Sequence, residues 1–206
     1  MEIYAIEKEL HNAGYRYILG TDEAGRGPMA GPLVASAVIL PENFFLEGLN
    51  DSKKVSPRLR EKLFDIIMEE ALEVQIEIIS VEEVDRLNVY RASKKAMLAC
   101  IGRMKNVDYV LTDAMKLNLD IPCLDLIKGD SKSASIAAAS IIAKVTRDRI
   151  MKEYDQLYPE YGFKQHKGYV TKMHLEMLRI YGPCPIHRTS FEPVRKELYH
   201  QTKFVL

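Results

Sequence analysis

Gly20-Thr21-Asp22-Glu23-Ala24-Gly25-Arg26-Gly27-Pro28 is the stretch that decides how this chain is read. Before it, Tyr15 to Gly20 is rich in aromatic and β-branched residues, which predicts a strand. A loop over Thr21 to Pro32 carries Gly25, Gly27, Pro28, Gly31 and Pro32, and Leu33 to Leu40 then reads as a nearly unbroken apolar strand stopped by Pro41. The connection is too polar and too rich in glycine and proline for a crossover helix, so the chain opens with a hairpin-like pair. Asp22 and Glu23 stand where the first strand is expected to end. Carboxylates there are held by the sheet yet reach solvent, which suits a hard divalent cation. An ordinary acidic turn is the plainer reading, and the spacing leaves both open. Gly25 and Gly27 allow close main-chain approach to a ligand.

Gly25 to Ala30 also fits GxGxxA, with Asp51 at the right remove for a dinucleotide fingerprint. That fingerprint must open a helix. Here Gly31-Pro32 and an apolar strand follow, which defeats it. No GK[ST] is present, so a P-loop is excluded.

Farther along, Ser56-Pro57 supplies an N-cap and a first-turn proline for a helix to about Leu72. Val74 to Ser80 alternates as a strand, and helices are expected over Val81–Leu87 and Val89–Met104. Tyr109–Thr112 and Cys123–Leu126 read as short strands. Ser133 or Ser135 caps a long helix to about Leu157, and Val170–Tyr181 and Phe191–Tyr199 read as closing helices. This order predicts an α/β architecture with a mixed sheet. The expected organisation is one domain over 1–206, with roughly 160–206 as a C-terminal helical extension.

The 206 residues are 47% hydrophobic and 28% charged. This composition excludes a disordered, collagenous or disulfide-scaffold chain. Net charge is zero, but residues 1–130 hold 16 basic and 22 acidic side chains, whereas 131–206 hold 13 and 7. A basic C-terminal third is one footprint of a polyanion partner, and scattered solvated lysines are the other reading. Cys100, Cys123 and Cys184 show no CxxC spacing, which fits free thiols in a reducing cytoplasm. No signal peptide or membrane span is expected.

Asp113 closes Val110-Leu111-Thr112-Asp113, and Asp130 precedes the Ser133 helix. Acids at strand ends and helix starts can converge on one sheet edge, as two-metal phosphoryl chemistry requires. Spacing alone does not establish convergence. Lys53 and Lys54, in Asp51-Ser52-Lys53-Lys54, read either as phosphate point charges or as a solvated loop. Lys144, Arg147 and Arg149 lie along the long helix, whose Ala137 to Ser140 stripe reads as close packing on the sheet. Tyr169, among Lys164 and Lys167, reads as a stacking platform or a core residue. His166, His174 and His187 lack metal-ligand spacing and read as surface or satisfied side chains. No GxSxG and no Cys–His pairing is visible, so nucleophilic acyl chemistry has no support. The tail Gln201–Leu206, with Phe204, reads as a fraying end rather than a sliding-clamp peptide.

Taken together, the chain resembles prokaryotic type 2 ribonuclease H, the ribonuclease HII family. The resemblance rests on Asp22 to Pro28, Asp51 to Lys54, Thr112-Asp113-Ala114, Lys128 to Lys132, Ala138 to Asp148, His166-Lys167-Gly168-Tyr169 and His187 to Phe191. It implies a ribonuclease H-like mixed five-stranded sheet flanked by helices. It implies cleavage of RNA in RNA–DNA hybrids, and 5′ of a single ribonucleotide in duplex DNA, leaving 5′-phosphate and 3′-hydroxyl ends. It implies that Asp22, Glu23, Asp113 and Asp130 bind two Mg²⁺ or Mn²⁺ ions, with direct ligation or water positioning open for Asp130. It implies that Gly25, Arg26 and Gly27 contact the 2′-hydroxyl and backbone, that Lys53 contacts substrate, and that Tyr169 stacks on the DNA-side sugar. A cytoplasmic monomer without membrane attachment is expected, with sliding-clamp contact as the other reading of the tail.

Overall fold

The computed structural model describes residues 3–50, 52 and 55–203. Five strands form one sheet: β1 (Ile18–Ala24), β2 (Leu33–Ile39), β3 (Glu73–Ile79), β4 (Tyr109–Asp113) and β5 (Cys123–Leu126), in the order β3-β2-β1-β4-β5. The β1–β2 pair is antiparallel, while β1–β4 and β4–β5 are parallel. The sheet is therefore mixed, with a hairpin start as the short polar connection requires. The helices are α1 (Ala5–Asn12), α2 (Pro57–Glu70), α3 (Val81–Leu87), α4 (Val89–Arg103), α5 (Ala134–Leu157), α6 (Phe163–His166), α7 (Lys172–Tyr181) and α8 (Glu192–Lys203). Among the described residues no helix is long and apolar enough to cross a membrane.

Local chemistry sets the boundaries. Ser56 accepts the Leu59 N–H, with Pro57 in the first turn of α2. Of the two candidate caps of α5 it is Ser133 that works, its hydroxyl oxygen accepting the Ile136 N–H. Thr171 caps α7 through the His174 N–H, so that helix starts at Lys172 rather than Val170. The largest departure from expectation is β1, which does not stop at Gly20. Its ladder with β2 continues through Asp22↔Ser36 and Glu23↔Ala35 to Ala24↔Val34. Main-chain pairing carries the polar Thr-Asp-Glu triplet into the strand, and Asp113 is likewise the last residue of β4.

The chain divides into two compact units. The first comprises 1–24, 34–77 and 93–145, and the second 25–33, 78–92 and 146–206. In the first unit, Ala137, Ala138 and Ala139 of α5 pack fully buried with Val38, Leu63 and Ile67. The helix lies so close that Ser36 of β2 donates to the Ala139 carbonyl at 2.6 Å. Gly20 is the tightest point, since a Cβ there would come 2.1 Å from the Ser135 carbonyl carbon. Glu7 of α1 closes the start of α5. One carboxylate oxygen accepts from both the Ser133 hydroxyl and the Ser135 N–H, at the positive end of the helix dipole. In the second unit, Ala30, Met151, Tyr161, Phe163 and Ile186 form one core cluster, and Met29, Leu178 and Val194 another.

Two alanine substitutions read this packing. Gly20→Ala drives a methyl into main chain and is expected to cost about 3 kcal/mol or more, lowering Tm by about 6 °C at least. Gly102→Ala in α4 meets nothing within 4 Å and is expected to hold or raise Tm. Thermal unfolding followed by circular dichroism separates them.

Candidate active site

Strand register builds the acidic centre. In the parallel β1–β4 ladder Thr21 pairs with Thr112. The next residues, Asp22 and Asp113, therefore stand side by side at the ends of neighbouring strands. Asp130 arrives from the other direction, in the 3-10 turn Gly129–Ser131 between β5 and α5. The turn is tied back to the strand, because the Gly129 N–H donates to Asp113 Oδ1 at 2.7 Å. Asp22, Asp113 and Asp130 each offer a carboxylate oxygen, all within 4.8 Å of one another. Glu23 stands outside that set, half-buried on β1.

Three like charges at this spacing in a buried setting are unfavourable without a counterion. Burial pushes the Asp22 carboxyl well above the ordinary range, and the charges of Glu23 and Asp113 push it further. A hydrogen bond from Ser140 and another from the Glu23 N–H, at 2.8 Å, work in the opposite direction. The donor set, all carboxylate oxygen on two strands and a turn tied to one of them, fits a hard divalent ion.

Ser140 is the residue that the sequence reading missed. Its hydroxyl bonds Asp22 and lies 2.8 Å from the Ser52 hydroxyl, with both serines buried. Read from the sequence it belongs to an alanine stripe, and only its helical spacing from Ser133 and Ile136, on the buried side of α5, marks its direction. Ser52 is held in turn by Arg60, whose Nε donates to the Ser52 carbonyl at 2.8 Å. Lys53, with Asp51 and Lys54, lies outside the described residues, as does the end of the tail from Phe204 onward.

The second unit presents Gly25, Arg26, Gly27 and Tyr169. Gly25 adopts a φ of +111°, and a side chain there would meet Arg147 and the Pro32 carbonyl within 2.7 Å. Arg26 and Gly27 are exposed. Tyr169, 43% exposed, brings its ring close enough to Gly27 that a Cβ added there would lie 3.5 Å from Cε1. The loop is fixed from beneath by two buried arginines. Arg147 donates to the carbonyls of Pro32, Ala30 and Lys167 at 2.9, 3.0 and 2.9 Å, and Arg188 donates twice to that of Gly31. Arg147 and Arg188 are thus structural cations rather than parts of a solvated basic face. Burial lowers their guanidinium pKa to about 10 and about 9.

The sequence model of the family described as Ribonuclease HII matches residues 19–194. The chain belongs to the ribonuclease HII family. It is 54% identical over 193 residues to Ribonuclease HII of Acetivibrio thermocellus, covering 93% of this chain and 75% of that protein. Its fold is similar to that of ribonuclease H2 from Pyrococcus horikoshii, with TM-score 0.78 and 27% identity, over 90% of this chain and 99% of that one. It is also similar to a chain in the PCNA:RNase HII complex from Archaeoglobus fulgidus, with TM-score 0.72 and 25% identity, over 85% and 95% of the two chains. As a ribonuclease HII family member the chain is a type 2 ribonuclease H, a hydrolase that cuts the RNA of RNA–DNA hybrids endonucleolytically. That activity accords with an acidic centre and needs no protein nucleophile. The structure does bring Cys184 to 3.1 Å from His187 Nδ1, a pairing invisible in the sequence, but burial pushes the thiol up to about 11 and keeps it protonated.

Two outcomes follow from these electrostatics. Burial and neighbouring carboxylates disfavour an ionised Asp22, so Asp22→Asn is expected to raise Tm in chelator at neutral pH and, in a separate nuclease assay with Mg²⁺ or Mn²⁺, to abolish cleavage. Burial lowers His174 to about 3 and His187 to about 4, from an ordinary 6.5. The unfolded chain therefore takes up these protons first as pH falls. Their contribution to stability is full above about pH 6.5 and is lost progressively toward pH 4, and a Tm that stays flat from pH 7.5 to pH 5 would contradict it.

Proposed function

We propose that this chain removes ribonucleotides from DNA, cutting duplex DNA 5′ of a single embedded ribonucleotide as well as within RNA tracts of hybrids. The observation that carries the reading is the set of three aspartates within 4.8 Å, two on adjacent parallel strands and the third in the turn before α5, in a ribonuclease HII family chain. Asp22, Asp113 and Asp130, with Glu23, would hold two divalent ions, Mg²⁺ or Mn²⁺. When bound, the ions supply Lewis acidity, neutralising the phosphodiester and lowering the pKa of the attacking water.

The protein's own part is positional. The sheet fixes Asp22 and Asp113, and the Ser140 hydroxyl orients Asp22. Water adds to phosphorus as the bond to the 3′-oxygen of the preceding nucleotide breaks. That oxygen leaves as a hydroxyl, and the ribonucleotide keeps the 5′-phosphate. RNA and DNA differ at this point by one hydroxyl, both donor and acceptor, so discrimination needs paired groups at close range. Gly25, Arg26 and Gly27 offer main-chain groups that side chains do not obstruct, Lys53 offers a point charge to phosphate, and Tyr169 offers a ring face to the neighbouring sugar. An all-DNA substrate would leave such groups unpaired, a loss of about 1–3 kcal/mol for each buried group. We take the chain to work as a cytoplasmic monomer and one catalytic domain, its C-terminal third adding a sequence-independent grip on the duplex.

The test is cleavage of a DNA duplex carrying one ribonucleotide, with Mg²⁺ or Mn²⁺, beside the all-DNA duplex and a continuous RNA–DNA hybrid. Incision 5′ of the ribonucleotide is expected, with none in all-DNA, and Asp113→Asn is expected to lose about a hundredfold or more. Cleavage of the hybrid alone would overturn the single-ribonucleotide reading.

A further inference from the structure

Beneath Tyr169 lie three buried histidines, two of which, His174 and His187, form an ordered hydrogen-bond chain to which nothing so far gives a role. His174 Nδ1 lies 2.9 Å from the Tyr169 carbonyl oxygen. A carbonyl only accepts, so Nδ1 carries the proton and Nε2 is bare. That bare Nε2 faces His187 Nε2 at 3.0 Å, so His187 donates from Nε2 and its own Nδ1 is the acceptor. Accordingly the Cys184 N–H donates to His187 Nδ1 at 3.0 Å. One assignment of protons satisfies every contact. His166 obeys the same logic, with Nε2 donating to the Tyr161 carbonyl at 2.9 Å and Nδ1 accepting the Gly168 N–H at 3.1 Å. Its ring stacks on that of His174, with centroids 4.2 Å apart.

The chain ends at the residue that faces the substrate. Tyr169 follows two residues in left-handed conformation, Lys167 at φ 51° and Gly168 at φ 82°. Such a turn persists only where its surroundings over-determine it. Here the Tyr169 N–H donates to the His166 carbonyl at 2.9 Å, and the Tyr169 carbonyl is held by His174. Both peptide groups of Tyr169 are thereby fixed by histidines, while its ring stands half-exposed beside Gly27.

We propose that His174 is a positioning residue for Tyr169, and that His187 sets the tautomer His174 needs for that task. The inference rests on the substrate role proposed for Tyr169. A neutral His174 donating from Nδ1 fixes the Tyr169 peptide, and the peptide fixes where the ring stands. His174→Phe keeps the ring and its stacking but loses both hydrogen bonds. His174→Asn keeps a donor near the δ position.

The experiment measures kcat and KM on the single-ribonucleotide duplex and on the continuous hybrid, for wild type, Tyr169→Ala, His174→Phe, His174→Asn and the His174→Phe/Tyr169→Ala double variant, with Tm followed throughout. His174→Phe is expected to lower kcat/KM about tenfold on the single-ribonucleotide duplex relative to the hybrid, matching Tyr169→Ala. The double variant is expected to be no worse than Tyr169→Ala, and His174→Asn to recover to within about threefold of wild type. Equal losses on both substrates, additivity with Tyr169→Ala, or no recovery in His174→Asn would overturn the inference. If Tyr169→Ala shifts the ratio and His174→Phe does not, only the inference fails. If Tyr169→Ala leaves the ratio unchanged, the reading of Tyr169 fails and the inference with it. Imidazole ¹⁵N spectra of the wild-type protein give an arm independent of variant folding. The Nδ1–H tautomer at His174 and Nε2–H at His187 are expected, and the reverse pair would overturn the relay.

Discussion

The pairing of β1 with β4 is the constraint on which the rest depends. A parallel ladder that sets Thr21 opposite Thr112 leaves no choice about Asp22 and Asp113, which must be neighbours whatever the repulsion between them. The sheet therefore stores an unfavourable electrostatic arrangement and meets its cost elsewhere. The fully buried alanine stripe of α5, the close approach at Gly20 and the carboxylate of Glu7 at the start of α5 are what the first unit sets against it. Asp130 comes last in this order, because its turn exists only where the end of β5 and the start of α5 are already fixed.

The second unit solves a different problem with the same economy of parts. A loop containing Gly25, Gly27 and Gly31 has little side chain with which to hold itself. Its conformation is imposed by groups arriving from far along the chain, as Arg147 and Arg188 direct their donors to carbonyls of residues 30–32. Guanidinium groups suit this because their planar donor fork serves several acceptors at once. The cost is two buried cations, and the depressed pKa of each reflects it.

Much of this was legible in the sequence, and the limits have physical causes. Strand and helix order followed from periodicity, and Ser56-Pro57 marked the start of α2. The end of β1 was misplaced because Thr21, Asp22 and Glu23 interrupt the apolar pattern, whereas the ladder to β2 is made by main chain and ignores side-chain polarity. The acids were visible one by one, but their convergence was not, since it depends on register between strands some ninety residues apart, a quantity no local pattern encodes. Ser140 was hidden for the opposite reason, as a small residue among alanines is indistinguishable from packing until its neighbour is known. Arg147 and Arg188 counted as charge, though neither faces water. His166, His174 and His187 show no ligand spacing, and the structure engages them with main-chain groups and, for His174 and His187, with one another.

The bond between Glu7 and residues 133 and 135 has a consequence for how the molecule comes into being. Its two ends are separated by more than 120 positions, so it joins α1 to a helix synthesised much later. Contacts of such long range slow the search for the native state, because the loop between them must be closed before they reward it. A nascent chain that has not yet delivered residue 135 can form neither this bond nor the Asp130 turn. The nuclease centre is thus absent from every nascent chain that has not yet delivered these residues, and cutting power waits for them.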